Sequence, residues 1–259
     1  MDMGIAGRKA LVCGASAGLG LACATALARE GVEVVIVART EAPLQEAATR
    51  LAGLSTAPVH AVAADVTQEA GRARILAAHP SFDILVTNAG GPPPGDFRQW
   101  EREQWVAALD ANMLAPIALI RALVDGMMER GFGRIVNITS SAVKAPVDGL
   151  GLSTGARSGL TGFVAGLARS TVARGVTINN LLPGAFDTDR LRVTMQGTAQ
   201  KTGQSLDQVA EARRMLAPAR RFGTAEEFGA LCAFVCSAQA GFLTGQNLLI
   251  DGGAYPGTY

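Results

Sequence analysis

The chain has little from which to build a metal centre or a disulfide framework. Its four cysteines, Cys13, Cys23, Cys232 and Cys236, show no metal-ligand spacing. All fall in or beside runs that read as core, so reduced, buried thiols are expected rather than a bridge or a zinc site. Histidine is reduced to His60 and His79, on elements expected far from any cleft. Aromatic residues make up 5% of the chain, and its only tyrosines, Tyr255 and Tyr259, lie in the last five residues. The body of the protein therefore offers no phenol. Charge is scarce and balanced, at 17% with a formal net of +1, which gives no ground for a nucleic acid or an anionic membrane as partner. No run of eighteen apolar residues is free of charges and glycines, and the first ten residues lack an apolar signal core. The expectation is a cytoplasmic protein without a membrane span. No internal repeat or low-complexity stretch breaks the chain.

What is present is apolar surface: 49% of 259 residues are hydrophobic, enough for one large core. Short β-rich runs read as strands over Lys9–Cys13, Glu33–Ala38, Val59–Ala63, Ile84–Thr87, Gly133–Thr139, Thr177–Leu182 and Asn247–Ile250. Between them, helical periodicity covers Leu19–Glu30, Ala42–Ala52, Glu69–Ala77, Glu103–Glu129, Gly155–Ala173 and Ala225–Ser237. Such alternation implies an α/β domain with a doubly wound, seven-stranded parallel sheet and helices on both faces. Ligands of such sheets sit beyond the carboxyl ends of the strands. The stretch 185–223 carries no strand and no clear helix before the last one. It is too long for an ordinary connection and is expected to be a substrate-covering lid.

Gly14-Ala15-Ser16-Ala17-Gly18-Leu19-Gly20 follows the first strand directly and opens a helix. Glycines there allow a tight turn and let backbone amides approach a pyrophosphate. The second strand ends in Val37-Ala38-Arg39-Thr40, where an acidic residue would hold the ribose hydroxyls of NAD. An arginine in place of that carboxylate leaves room for a 2′-phosphate and supplies a cation for it, which favours NADP(H) over NAD(H). A solvated surface arginine is the plainer reading of Arg39.

The G-x-x-x-G-x-G spacing, with the motifs that follow it, resembles the short-chain dehydrogenase/reductase family, in particular its ketoacyl-carrier-protein-reductase-like members. The resemblance runs over nearly the whole chain and implies a single-domain Rossmann fold over 1–259. It makes Asp65, with Val66 beside it, the contact for the adenine amino group. Thr87-Asn88-Ala89-Gly90 resembles the family's N-N-A-G, which supports the sheet and touches the cofactor ribose. Asn112 falls where the family keeps an asparagine that holds a water of the proton relay. Gly133-Arg134-Ile135-Val136-Asn137-Ile138-Thr139-Ser140 ends on the family's catalytic serine. Pro183-Gly184 followed by Thr188 matches the loop that orients the nicotinamide amide, and Leu243-Thr244-Gly245-Gln246 and Asp251-Gly252-Gly253 are similar to the family's terminal motifs. The implied cofactor contacts are Gly14, Ser16, Gly18, Leu19, Gly20, Arg39, Asp65, Val66, Asn88, Ala89, Gly90, Arg157, Pro183, Gly184 and Thr188. Cys13 stands where the family usually has threonine.

The departure from the family lies at its proton-transfer pair. Where the resemblance implies a tyrosine thirteen residues after the serine and a lysine four further on, this chain has Ser153 and Arg157. A serine hydroxyl is a much weaker acid than a phenol and shorter by a ring. Arg157 keeps a positive charge, yet a guanidinium is a poor proton shuttle. Losing a positioned general acid costs roughly 10²- to 10⁴-fold in rate. Candidate catalytic residues are thus Ser140, Asn112, Ser153 and Arg157. Tyr255 or Tyr259 from a neighbouring subunit is one substitute acid, and Lys144 and Asp148 are either pocket residues or a solvated loop pair.

The lid carries Arg190, Arg192, Lys201, Arg213, Arg214, Arg220 and Arg221 against Asp187, Asp189, Asp207 and Glu211. This basic excess suits a carboxylate, a phosphate or an acyl-carrier thioester, or is the solvated face of an amphipathic helix such as Leu206–Leu216. Gly91-Pro92-Pro93-Pro94-Gly95 forms a stiff rim that shapes the pocket. The family's habit of forming dimers or tetramers, with the apolar face of Leu160–Leu167 and small residues Gly159, Gly162, Ala165 and Gly166, implies a homo-oligomer, a homotetramer being one form. Two functions stay open: an NADP-dependent oxidoreductase acting on a small carbonyl or hydroxyl compound, acidic or carrier-linked, or an NADP-binding protein that senses, assembles or catalyses without redox turnover.

Overall fold

The computed structural model describes residues 2–258. Seven strands form one parallel sheet in the order β3-β2-β1-β4-β5-β6-β7. They are β1 (Lys9–Cys13), β2 (Glu33–Ala38), β3 (Val59–Ala63), β4 (Ile84–Thr87), β5 (Gly133–Ile138), β6 (Val176–Pro183) and β7 (Asn247–Ile250). Helices α1 (Gly18–Arg29), α2 (Glu41–Ala52) and α3 (Glu69–Ala78) connect the first half. The second half uses α4 (Arg102–Leu109), α5 (Ala115–Glu129), α6 (Gly151–Thr171), α7 (Asp189–Thr202), α8 (Leu206–Arg214) and α9 (Ala225–Cys236).

Both faces of the sheet are covered, so its central strands are apolar on both sides. Along β1, Ala10 and Val12 enter the layer shared with α1, α2 and α9, where Leu27, Leu44, Phe228 and Cys232 lie. Leu11 and Cys13 face the opposite layer, with Leu119, Leu123, Leu160 and Val164 from α5 and α6. Strand order reverses between β1 and β4, and the crevice at such a reversal is where ligands of these sheets bind.

Three expectations change. Helix α6 begins at Gly151 rather than Gly155, which puts Ser153 in its first turn. Gly151 and Gly155 look like loop residues, but each leaves room for an indole: a Cβ built on them would lie 2.8 Å from Trp100 and 3.1 Å from Trp105. The helix expected over Glu103–Glu129 is continuous but carries a π-helical turn at Asp110–Leu114. Taken whole, 102–129 is long and apolar enough to cross a membrane; its Leu119, Ile120, Leu123 and Met127 are core residues packed on the sheet. Finally, 185–223 is not irregular: α7 and α8 fold onto each other through Leu191, Met195, Val209 and Ala210. A parallel bridge between Phe186 and Gly223 ties the two ends of this segment together.

All four cysteines are buried and free. His60 faces Glu33 at 3.1 Å and stacks against His79 at the β3 edge.

Candidate active site

Gly14 and Gly18 adopt positive φ, turning the chain from β1 into α1. The fit around this turn leaves no room for side chains: a Cβ on Gly20 would run into the Gly14 carbonyl oxygen. Asn88 Nδ2 donates to that same oxygen at 3.2 Å, so the β4 end holds the glycine turn in place. Ala17, at the head of α1, contributes no side-chain cap, which leaves the first amides of the helix available to an oxyanion.

Next to the turn lies a cavity of about 240 Å³ lined by Gly14, Ser16, Val37, Ala38, Arg39, Thr40, Ala64, Asp65, Val66, Thr67, Asn88, Ala89, Gly90 and Ala111. Eight of the residues expected to hold a nucleotide (Gly14, Ser16, Arg39, Asp65, Val66, Asn88, Ala89 and Gly90) thus share one wall system. Asp65 Oδ1 accepts from the Thr67 amide at 2.9 Å and from its hydroxyl at 2.8 Å. Partial burial pushes the Asp65 carboxyl up, but these hydrogen bonds and the Arg39 charge outweigh it and hold it below the ordinary value. Arg39 is exposed at the cavity edge. Leu19 and Gly20 lie in the first turn of α1. Pro183 ends β6, and Gly184 abuts Asp251, where a built Cβ would be 2.7 Å from its Cα. Thr188 caps α7 by accepting from the Leu191 amide and stands 3.9 Å from a Cβ built on Gly18, which brings the 185–223 segment to the glycine turn.

Cys13 sits beneath this turn. Burial pushes its thiol up to about 12 against a backbone hydrogen bond from Asn88, so it is a neutral packing group.

Ser140 follows β5 and caps a 3-10 turn over Ser141–Val143, its Oγ accepting from the Ala142 amide at 3.1 Å. That bond uses an oxygen lone pair and leaves the hydroxyl hydrogen free to donate. Asn112 lies in the π-helical turn, a distortion that recurs at functional sites. Its Nδ2 donates to the Ala108 carbonyl at 3.3 Å, while its buried Oδ1 has no partner among the described residues.

Arg157 points inward. Its Nη1 donates to the carbonyls of Ile138 at 2.7 Å and Thr139 at 2.8 Å, the two residues before Ser140. Nε donates to Ser153 Oγ at 3.2 Å and Nη2 to the Ala89 carbonyl at 3.4 Å. No carboxylate pairs with it among the described residues. Burial, aided by the nearby Arg190 charge, brings its pKa down to about 10, so it remains a cation at neutral pH. Arg157 thereby joins the end of β4, the end of β5 and the first turns of α6.

Lys144 and Asp148 do not pair. Lys144 Nζ lies 5.9 Å from the centre of the Tyr255 ring of its own chain, and exposed Asp148 accepts from the Gly149 amide. Tyr259 lies outside the described residues.

Sequence reasoning missed a polar rung across the sheet just below the site. Thr87 Oγ1 donates to Asn137 Oδ1 at 2.7 Å, Asn137 Nδ2 to Asn180 Oδ1 at 3.1 Å, and Asn180 Nδ2 to Asn247 Oδ1 at 2.8 Å. These residues are register partners on adjacent strands. The available signal was three asparagines inside otherwise apolar strands.

Residues 14–255 match a family profile described as enoyl-(acyl carrier protein) reductase. The 3-oxoacyl-[acyl-carrier-protein] reductase FabG of Vibrio cholerae is 32% identical over 98% of this chain and 99% of its own length. Acetoacetyl-CoA reductase of Cupriavidus necator is 30% identical over 96% of this chain and 99% of its own. Among solved structures, L-sorbose reductase of Gluconobacter frateurii, complexed with NADPH and L-sorbose, superposes with a TM-score of 0.94 at 30% identity, covering 99% of this chain and all of that one. With the glycine turn, the reversed strand order and these matches in place, the chain belongs to the short-chain dehydrogenase/reductase family, on its ketoacyl-reductase-like side.

Proposed function

We propose that the protein is an NADP-dependent oxidoreductase acting on a carbonyl or hydroxyl compound. The observation that carries this reading is one continuous site: the cavity that runs from Arg39 to Ala89 reaches the residue whose carbonyl Arg157 binds, and Arg157 in turn grips the two residues before Ser140. The residues fit the dinucleotide. The amides of α1 would hold its pyrophosphate, Arg39 its 2′-phosphate, and Asp65 and Val66 its adenine. When bound, NADPH supplies the hydride that goes to the carbonyl carbon.

The chain's own contribution follows from the hydrogen bonds. Ser140 donates its free hydroxyl hydrogen to the substrate oxygen and polarises the carbonyl. Arg157 stays charged, fixes the backbone that carries Ser140, and donates to Ser153 Oγ, which polarises the Ser153 hydroxyl. Ser153 is too short and too weak an acid to serve as the phenol's equal. The proton therefore reaches the substrate oxygen through water held by Ser153 or by the unpartnered Oδ1 of Asn112, at a rate roughly 10²- to 10⁴-fold below that of a positioned acid. The 185–223 segment, tied at its base by the Phe186–Gly223 bridge, covers the substrate as a lid.

One observation favours a second reading, an NADP-binding protein without redox turnover. Four hydrogen bonds hold Arg157 to the protein out of the five donors a guanidinium has. That favours a structural brace over a participant in turnover. Calorimetric titration with NADPH and NADH, followed by nicotinamide absorbance with a panel of carbonyl compounds, separates the two. Selective NADPH binding with slow oxidation supports the oxidoreductase. Tight binding without oxidation supports the second reading, and no binding of either nucleotide sinks both.

A further inference from the structure

Arg190, the second residue of α7, reaches across the cleft to its opposite rim. A Cβ built on Gly91 would lie 2.5 Å from Arg190 Nη2 and 3.2 Å from its Cζ. The guanidinium thus rests directly against the backbone of Gly91. The carboxylates next to Arg190 in sequence are engaged elsewhere: Arg192 takes Asp187 at 3.2 Å and Asp189 at 3.8 Å. Arg214 and Arg221 likewise pair with Glu211 and Glu227. Arg190 has no carboxylate partner among the described residues, and its charge bears on the buried guanidinium of Arg157. Gly91 follows directly on the Asn88–Gly90 turn whose Ala89 carbonyl Arg157 binds. Two guanidiniums, neither paired with a carboxylate among the described residues, therefore stand at this end of the cleft.

We propose that Arg190 is the specificity-determining residue for an anionic substrate: it grips the carboxylate of an oxo acid while the carbonyl oxygen of the same molecule meets Ser140. This deepens the oxidoreductase reading and rests on it for the identity of the reacting group. A bare guanidinium on a lid pairs with a carboxylate through charge-assisted hydrogen bonds, and an uncompensated pair of cations makes an anion the best-matched occupant. The diphosphate of the cofactor has the same oxyanion chemistry and is the competing source.

The test compares wild type, Arg190→Gln and Arg190→Lys with a panel of 2- and 3-oxo acids and their methyl esters. Turnover is followed with NADPH, and calorimetry records binding of the same acids and of malonate to NADPH-saturated protein. The expected result is a preference of wild type for acid over ester of about tenfold to a hundredfold. Arg190→Gln abolishes that preference and Arg190→Lys keeps part of it. Equal use or equal binding of acid and ester by wild type overturns the proposal. So does an Arg190→Gln variant whose only defect is weaker NADPH binding, since that assigns Arg190 to the diphosphate. If no NADPH is oxidised, acid binding that depends on Arg190 still supports the anion site while the oxidoreductase reading falls; acid binding that is absent, or indifferent to Arg190, overturns the site.

Discussion

Replacing Arg39 with alanine removes the cation that stands where an NAD-type site has a carboxylate. NADPH affinity measured by calorimetry is expected to fall about tenfold or more while NADH affinity changes little; equal losses for both nucleotides would show Arg39 to be a solvated surface charge. Arg157 makes a different prediction. Arg157→Ala orphans the carbonyls of Ile138 and Thr139, which are buried at 5% and 3% exposure. Relief from carrying a desolvated cation works the other way, but two buried residues lose the hydrogen bonds that Arg157 donates to their carbonyls. The expected loss is about 1–3 kcal/mol, read as a lower denaturant midpoint; a midpoint at or above that of wild type would contradict the brace. The identity of Ser153 and Arg157 was legible in the sequence, whereas the inward direction of Arg157 was not, because spacing on a helix places a side chain's root and not the carbonyls its tip will find.

At the scale of elements, α9 supplies a test in acid. Thr224 and Glu227 form a capping box at its start, and Arg221 holds the Glu227 carboxylate at 2.6 Å. Those bonds, led by Arg221, bring the Glu227 pKa down from 4.5 to about 2. A carboxylate depressed in the folded state contributes stability that is fully present above its unfolded value and is lost as pH falls through the folded one. The thermal midpoint of wild type is therefore expected to drop between pH 4.5 and 2, and Glu227→Gln to flatten that part of the curve. Identical curves for both proteins would remove the pair from the account. Helix α7 shows why 185–223 reads as irregular from its sequence. Thr194, Thr198 and Thr202 each donate back to the carbonyl four residues earlier, and Gly197 sits among them. That composition argues for loop; the apolar contacts of Leu191 and Met195 with α8, together with the Thr188 cap, favour the helix. The π-helical turn at Asn112 was equally hidden, since one extra residue in a turn leaves hydrophobic periodicity almost unchanged.

For the whole molecule, the sheet was readable because a parallel sheet covered on both faces writes its strands as predominantly apolar runs between glycine and polar punctuation. Ile84–Thr87 and Asn247–Ile250 came out at their observed bounds for that reason. Self-association was inferred from the small residues of α6, and the structure divides them. Gly159 is internal, with a built Cβ 2.7 Å from Met113 Sδ, whereas Gly162 and Gly166 face open space beside half-exposed Phe163. Gly162→Trp is expected to dissociate a homo-oligomer built on this face, and an unchanged sedimentation profile would rule that surface out. Hydride transfer through a site whose helix carries Ser153 and Arg157 is tested by isotope transfer. The protein is incubated with a carbonyl panel and NADPH deuterated on the transferable position of the nicotinamide, and the alcohols formed are analysed by mass spectrometry. The expected product is an alcohol carrying deuterium on its carbinol carbon, formed slowly and abolished by Ser140→Ala; NADPH that binds tightly but yields no labelled alcohol from any member of the panel would rule hydride transfer out.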